Sequence, residues 1–388
     1  MDITTAKTIA MRTHIMALKA GVRAAGHHWE SGPGLGKSDG THQLCQALAK
    51  ELNEPVGLVV FMLATISSAD VRGFMLPIKT AAGVDTVFST PPWLPTRGNM
   101  IVYTPDGTMH PEGTWTGDIP RVGVLFLDEF SQAEDDVKKP AAELVLRGQV
   151  GSVALPIGWR VLAAGNRMSD RSGVMRELMF IVNRRCKITI NPSLPSWLAY
   201  ANALPPAVRP HYLTMSFAQK NPDIVFKDSV PEGSDPFCTP RALCLMDRDL
   251  MALRSDDDIA HNRMPLDAAA RELAAGWIGA GSAAQFFTHL KYHDELPEIS
   301  AIERDPDKAK LPPAKDAQMV CGYMLAHNIN EANAGKLVRY IMRLHIEMQM
   351  LTIRAIFAQE ERAAAVLADP AMTAWLAKNK DVIIASRS

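Results

Sequence analysis

Three long, almost wholly apolar runs constrain this chain more than anything else in it: VGLVVFMLATI at 56–66, VGVLFLDEF at 122–130 and WRVLAAGN at 159–166. A strand with one face in water alternates apolar and polar residues. A run that is apolar at every position, rich in Val, Leu and Phe, belongs in a sheet covered on both sides. Such sheets are built from parallel strands joined through helices, and helical periodicity does lie between the runs. Residues 5–25 put Met11, Ile15, Leu18 and Val22 on one face and end at Gly26. Leu44, Leu48 and Leu52 mark a second helix, and Ser131–Arg147 reads as a third, followed by a hairpin at Gly148–Pro156. His27–Glu30 reads as a first short strand and Lys187–Ile190 as a last one, closed by Pro192. Residues 77–120, rich in Pro, Gly and Thr, read as loops carrying hairpin strands. The first half is therefore expected to be α/β, a mostly parallel sheet covered by helices.

Beyond Pro192 the pattern is helical throughout, over 196–219, 239–254, 267–293 and 316–378. The charged, proline-containing stretch 297–316 is the linker candidate, and no internal repeat occurs. The 388 residues suffice for two or three domains at about 150 residues each. With 41 Lys and Arg against 42 Asp and Glu, the net charge is −1. That balance argues against a protein held to nucleic acid by bulk electrostatics. Hydrophobic residues at 47% and charged residues at 21% exclude a disordered or fibrous chain. No apolar run approaches the roughly 18 residues of a membrane helix, so no membrane partner is expected. The first residues hold no secretory apolar block with a small-residue cleavage site. Cys45, Cys186, Cys238, Cys244 and Cys321 form no CxxC pair, so a disulfide framework or zinc ribbon is not expected and a cytoplasmic protein is.

Chemistry enters between the first strand and the second helix. Gly32-Pro33-Gly34-Leu35-Gly36-Lys37-Ser38 supplies the end of the G-x-x-x-x-G-K-[ST] phosphate loop. Its glycines let backbone N–H groups turn towards phosphate oxygens, and the next helix points its positive end at them. Lys37 would reach the β- and γ-phosphates of ATP, and Ser38 would ligate Mg²⁺. Ser31 stands where the pattern has its first glycine. A glycine-rich turn that merely caps a helix uses the same residues, but a strand before and a helix after are the context the loop requires. Asp128-Glu129 ends the second apolar run, and unpaired carboxylates there cost several kcal/mol unless a cation or water satisfies them. Asp128 suits the Mg²⁺ shell and Glu129 a general base for water. The pair would also complement the dipole of the following helix. Asn166 closes the third run, where its side chain can orient water near a γ-phosphate; Gly-Asn is an ordinary turn signal too.

In that order, the phosphate loop, LFLDEF, a helix, GQV and VLAAGNR resemble the MoxR-type branch of AAA+ ATPases, close to the dynein-related group with the CbbQ and NorQ chaperones. The resemblance covers roughly 21–293 and is most continuous over DEFSQAEDDVKKPAAELVLRGQVGSVALPIGWRVLAAGNR, whose helix and hairpin look like the family's insertion before the water-orienting strand. Asp70-Val71-Arg72-Gly73 falls at the family's D-[IVL]-x-G segment. The tract NPSLPSWLAYANAL…NPDIVF…SDPFCTPRAL resembles a subset of these ATPases found in bacteria and phages.

The resemblance implies a P-loop NTPase αβα core over 1–192, an all-α lid over 193–296, and a linker with a C-terminal helical extension over 297–388. It implies Mg²⁺-dependent ATP hydrolysis in a homo-oligomeric ring, a hexamer, that remodels a protein substrate or adaptor of the von Willebrand A type. Arg184, with Arg185 beside it, stands at the segment whose arginine reaches the neighbouring subunit's γ-phosphate. A basic helix end would carry the same arginines. Arg241, in Thr239-Pro240-Arg241, stands at the lid arginine, although proline also simply starts helices well.

A nucleic-acid motor of the restriction-type branch, or a ring that binds nucleotide only as a structural switch, are the alternatives. Near-neutral charge gives the first no support; Ser31 and Asn183-Arg184-Arg185 leave room for the second. Other signals stay local. His27-His28 suggests a partly exposed edge strand, Met342–Met350 core filling, and Trp93 and Trp115 either a pore surface or loop anchors.

Overall fold

The apolar runs lie side by side in one seven-stranded sheet. The computed structural model describes residues 1–81, 83–167, 170 and 185–379. In the first half, α1 (Ile3–Lys19) precedes β1 (His27–Ser31), α2 (Lys37–Leu52), β2 (Val56–Met62) and the short α3 (Ser68–Arg72). A separate hairpin, β3 (Met75–Thr80) and β4 (Gly83–Phe88), leads to β5 (Ile101–Tyr103) and β6 (Met109–His110). Then come β7 (Val122–Asp128), α4 (Asp135–Arg147), the small hairpin β8 (Gln149–Val150) and β9 (Val153–Ala154), β10 (Trp159–Asn166) and β11 (Cys186–Thr189).

The sheet runs β11-β1-β10-β7-β2-β5-β6, parallel from β11 to β2 and antiparallel at its β5-β6 edge. Successive residues of the central strands enter two different cores, which is why the runs show no alternation. Leu125 and Leu127 pack with Val137, Ala141 and Leu144 of α4. Val124 and Phe126 pack with Ala6 and Ala10 of α1 and with Leu44 and Leu48 of α2.

Several expectations shift. Helix α1 stops at Lys19, before Gly21 at φ +67°, rather than running to residue 25. Its fully buried face is Ala6, Ala10 and His14, while Met11, Ile15 and Leu18 flank the contact and Val22 is exposed. Small side chains let the helix sit close to the sheet, so the larger apolar residues mark the border of the interface. His27 and His28 do not lie on an edge: β1 is flanked by β10 and β11, and both rings are buried. Trp93 is an anchor, fully buried, with its indole N–H donating to the Val71 carbonyl at 2.7 Å. The Trp115 indole likewise bonds within its loop, to the Asp118 carbonyl at 2.8 Å. Hairpin β3-β4 is exposed at every described position.

The chain divides into two compact units. The first is Met1–Pro192 with Asp228–Val230; the second is Ser193–Lys227 with everything from Pro231 on. Among the described residues the second unit is helical, around one apolar cluster that includes Phe217, Leu243, Phe286, Tyr323 and Ile341. The periodic stretch 196–219 is two helices, Leu194–Ala203 and Tyr212–Lys220, separated by a segment holding Pro205, Pro206 and Pro210. Another break falls at Gly279, φ +80°, between Ala268–Ile278 and Ala280–Leu290. The stretch 297–316, charged enough to read as a linker, contains the helix Ile299–Arg304, and Ile302 is fully buried in the same cluster. No helix among the described residues is long and apolar enough to cross a membrane.

Candidate nucleotide-binding site

Strand order decides where a ligand can sit. From β1 the chain passes through α2 to β2, beyond β10 and β7; from β10 it passes to β11, on the other side of β1. The two connections diverge between β1 and β10, and in open α/β sheets the crevice at such a divergence, outside the carboxyl ends of the strands, takes the ligand. Ser31 and Asn166 are register partners at that point.

The loop from Ser31 into α2 has the backbone that phosphate binding needs. Gly34 and Gly36 take φ of +72° and +78°, a region that costs a side-chain-bearing residue. Gly36 caps α2 with no side-chain hydrogen bond, and the positive end of the helix faces the loop, where it favours an anion. Lys37, buried by its neighbours, directs Nζ to Ser31 Oγ at 2.9 Å, Asn166 Oδ1 at 3.0 Å and the Gly32 carbonyl at 3.3 Å. Ser31, in place of the usual glycine, is thus a contact of the lysine. Its own hydroxyl donates to the Gly32 carbonyl at 2.8 Å.

Next to the loop, Ser38 Oγ donates to Asp128 Oδ2 at 2.9 Å. Two hard oxygens at that separation match adjacent corners of an octahedron with bonds of about 2.1 Å, so the donor set fits Mg²⁺. Asp128 Oδ1 accepts the Glu129 backbone N–H at 2.9 Å. Glu129 itself sits at φ +54°, ψ +32°, one of few non-glycine residues in the left-handed region. Such strain collects where a side chain must be aimed.

Arg184 lies outside the described residues. The Arg185 guanidinium stacks on the Phe130 ring of its own chain, 5.1 Å from the centroid. Phe130 also meets His28, whose pKa is held well below its ordinary value by burial and then by Arg185, Lys187 and Lys37. Arg241 is exposed in the first turn of Pro240–Ala252, a helix of the second unit capped by Thr239. In the Asp70–Gly73 segment, Asp70 closes a capping box with Ser67, and those bonds hold its carboxyl below the ordinary range. Sequence reasoning gave no role to Arg167, next after Asn166, which the structure places against the loop at Gly32. Its position directly after the strand end was the available signal.

No protein-family model matches the chain, and no curated protein matches it. Among solved structures the chain is similar to NtrX from Brucella abortus, at 13% identity over 91% of this chain and 62% of that one, with a TM-score of 0.27. A second structure of NtrX from Brucella abortus, in complex with ADP, is similar at 13% identity over 96% of this chain and 68% of that one, with a TM-score of 0.30. The chain thus spans under two thirds of the length of the first. At that level of similarity the site is read from its own geometry, within a mixed α/β unit whose mostly parallel sheet is in keeping with a P-loop NTPase-like fold.

Proposed function

We propose that this protein binds ATP with Mg²⁺ and hydrolyses it, as an AAA+ engine of the MoxR type that remodels a partner protein. The observation that carries the reading is convergence: the lysine of the loop, the carboxylate ending β7 and the amide ending β10 meet through Lys37–Asn166 and Ser38–Asp128 bonds. In that arrangement Lys37 and the N-terminal end of α2 hold the β- and γ-phosphates. Ser38 and Asp128 hold Mg²⁺, which when bound neutralises charge building on the phosphate oxygens. Glu129 takes the proton of the attacking water, and Asn166 orients that water.

The trans-acting arginine at Arg184 or Arg185, the lid arginine Arg241, the hexameric ring and a von Willebrand A-type partner complete the proposal on the strength of the resemblance. A protein partner is supported over nucleic acid by hairpin β3-β4. Its exposed Met75, Leu76, Ile78, Val84 and Val87 accompany one lysine and one aspartate, an apolar surface rather than a basic one. Titration with ATP, with and without Mg²⁺, tests the core of the reading. Mg²⁺ tightens binding in the wild type and loses that effect in Asp128→Asn; a chain that binds no nucleotide overturns it.

A further inference from the structure

Arg167 occupies a position that the loop, the acids and Asn166 leave unassigned. It follows Asn166 at the carboxyl end of β10, and a Cβ built on Gly32 would stand 3.2 Å from its Nη2. Two carboxylates hold the guanidinium there. The Arg167 backbone N–H and Nε donate to Asp170 Oδ2 at 3.1 and 3.2 Å. Nη1 and Nη2 donate to Asp228 Oδ1 and to the Asp228 carbonyl at 2.7 and 2.6 Å.

The two acids are not equivalent. The Asp170 side chain is 2% exposed and the Asp228 side chain 59%, while Arg167 itself is 14% exposed. Asp170 is a buried anchor. Asp228 is a surface partner in the short segment Asp228–Val230, which belongs to the first unit although Lys227 and Pro231 on either side belong to the second.

A solvent-exposed carboxylate contributes a factor of about five at most to such a pairing. A phosphate carries more charge and matches the planar fork of a guanidinium with two parallel bonds. Lys37, assigned above to the terminal phosphates, is bonded to Asn166, and Arg167, next in the chain, packs at Gly32 of the same loop. An anion there competes with Asp228 for the same N–H groups, while Asp170 keeps the arginine in place.

We propose that Arg167 contacts the terminal phosphate of a bound nucleoside triphosphate, exchanging Asp228 for it and releasing the segment Asp228–Val230. This rests on the nucleotide-binding reading above. The diphosphate, lacking that phosphate, leaves the Arg167–Asp228 pair closed. The segment between the two stretches of the second unit is then tied in one nucleotide state and free in the other.

The two ends of the ion pair make the test, because a sensor and a purely structural pair respond with different signs. Affinities of the full chain for ATPγS and for ADP are measured with Mg²⁺ by calorimetric titration. Arg167→Gln weakens ATPγS about tenfold and ADP less than about twofold. Asp228→Asn, which removes the charge opposite Nη1 and leaves the bond to the Asp228 carbonyl, tightens ATPγS by about two- to fivefold and leaves ADP unchanged. Variants that move both nucleotides alike, or that both weaken ATPγS, overturn the proposal. If Arg167→Gln does not fold, the exposed Asp228→Asn decides alone: no selective tightening of ATPγS sinks it. A wild type that binds neither nucleotide overturns the nucleotide-binding reading itself, and this proposal with it. Wild-type binding with symmetric variants overturns Arg167 alone.

Discussion

The Lys37 ammonium donates to Asn166 Oδ1 at 3.0 Å across 129 residues of sequence. Parallel pairing of β1 with β10 makes this contact, since it sets Ser31 level with Asn166 and both strands end there. Lys37→Ala removes a buried positive charge from the half-buried loop between β1 and α2. Charge-assisted bonds contribute about 1.5–3 kcal/mol each, so ATP affinity should fall by about 10- to 100-fold or more. Fluorescent-nucleotide titration measures it; an unchanged dissociation constant would mean the loop does not hold phosphates.

Glu129 carries two separable properties, a carboxylate and a strained backbone. Glu129→Gln keeps shape and nucleotide binding but removes the base, so turnover falls by about 10²- to 10⁴-fold. Glu129→Gly removes the base as well, yet relieves a left-handed conformation that costs about 1–3 kcal/mol. That variant should melt higher than wild type while being equally inactive. Phosphate release with normal kinetics in Glu129→Gln would strike the residue from the mechanism.

Which parts of this were legible in the sequence follows from the physics of each part. The strands at 122–128 and 159–166 were visible because burial on both faces leaves Arg160 as the one polar residue before their ends at Asp128 and Asn166. Lys37, Ser38, Asp128 and Asn166, which the fold brings together, stood out because polar side chains at the ends of apolar strands and at a glycine-rich helix start contrast with their surroundings. The packing of α1 was not, because the tightest contacts use alanine, which carries no periodic signal of its own. Nor was the burial within 297–316: Ile299, Ile302 and Leu311 are scattered among charges and prolines, and only the folded cluster shows them packed. Arg167 was hidden for a different reason. Its partner Asp228 is remote in sequence, in a segment whose membership of the first unit no local pattern announces.

Acid sensitivity of the first unit should originate at buried histidines. Burial, with a smaller push from the Arg160 charge, holds His14 at about 4, against the bond to the Gly158 carbonyl that raises it, and His27 at about 3. The unfolded chain takes up these protons near pH 6.5, the folded chain only well below it. Stability from these groups is therefore complete above about pH 6.5 and is lost as pH falls from there towards 4. Hydrogen exchange of β1 and β10 amides reads this locally: protection should drop between pH 7 and 5 after correction for intrinsic rates. Constant protection over that interval would remove the histidines as the cause.

Arg160 itself tests how a buried cation holds the unit together. It is fully buried on β10, with Nε donating to the Ala25 carbonyl at 3.0 Å and Nη1 to the Ala10 carbonyl and, at 3.0 Å, to Thr13 Oγ. Burial lowers its pKa to about 10, so it stays charged at neutral pH. Arg160→Met relieves the cost of burying the charge but takes the donor from the Ala25 carbonyl, at about 1–3 kcal/mol where water cannot reach it, and one of two donors from the Ala10 carbonyl, which Thr13 Oγ also supplies. The second effect wins, because methionine replaces only one side of every bond. The melting temperature should drop, and the acid dependence of β1 and β10 should shrink, since His14 and His27 no longer face a fixed positive charge. Unchanged nucleotide affinity in the folded variant separates this scaffold role from the site. A variant as stable as wild type would show instead that α1 is held by its alanine contacts alone.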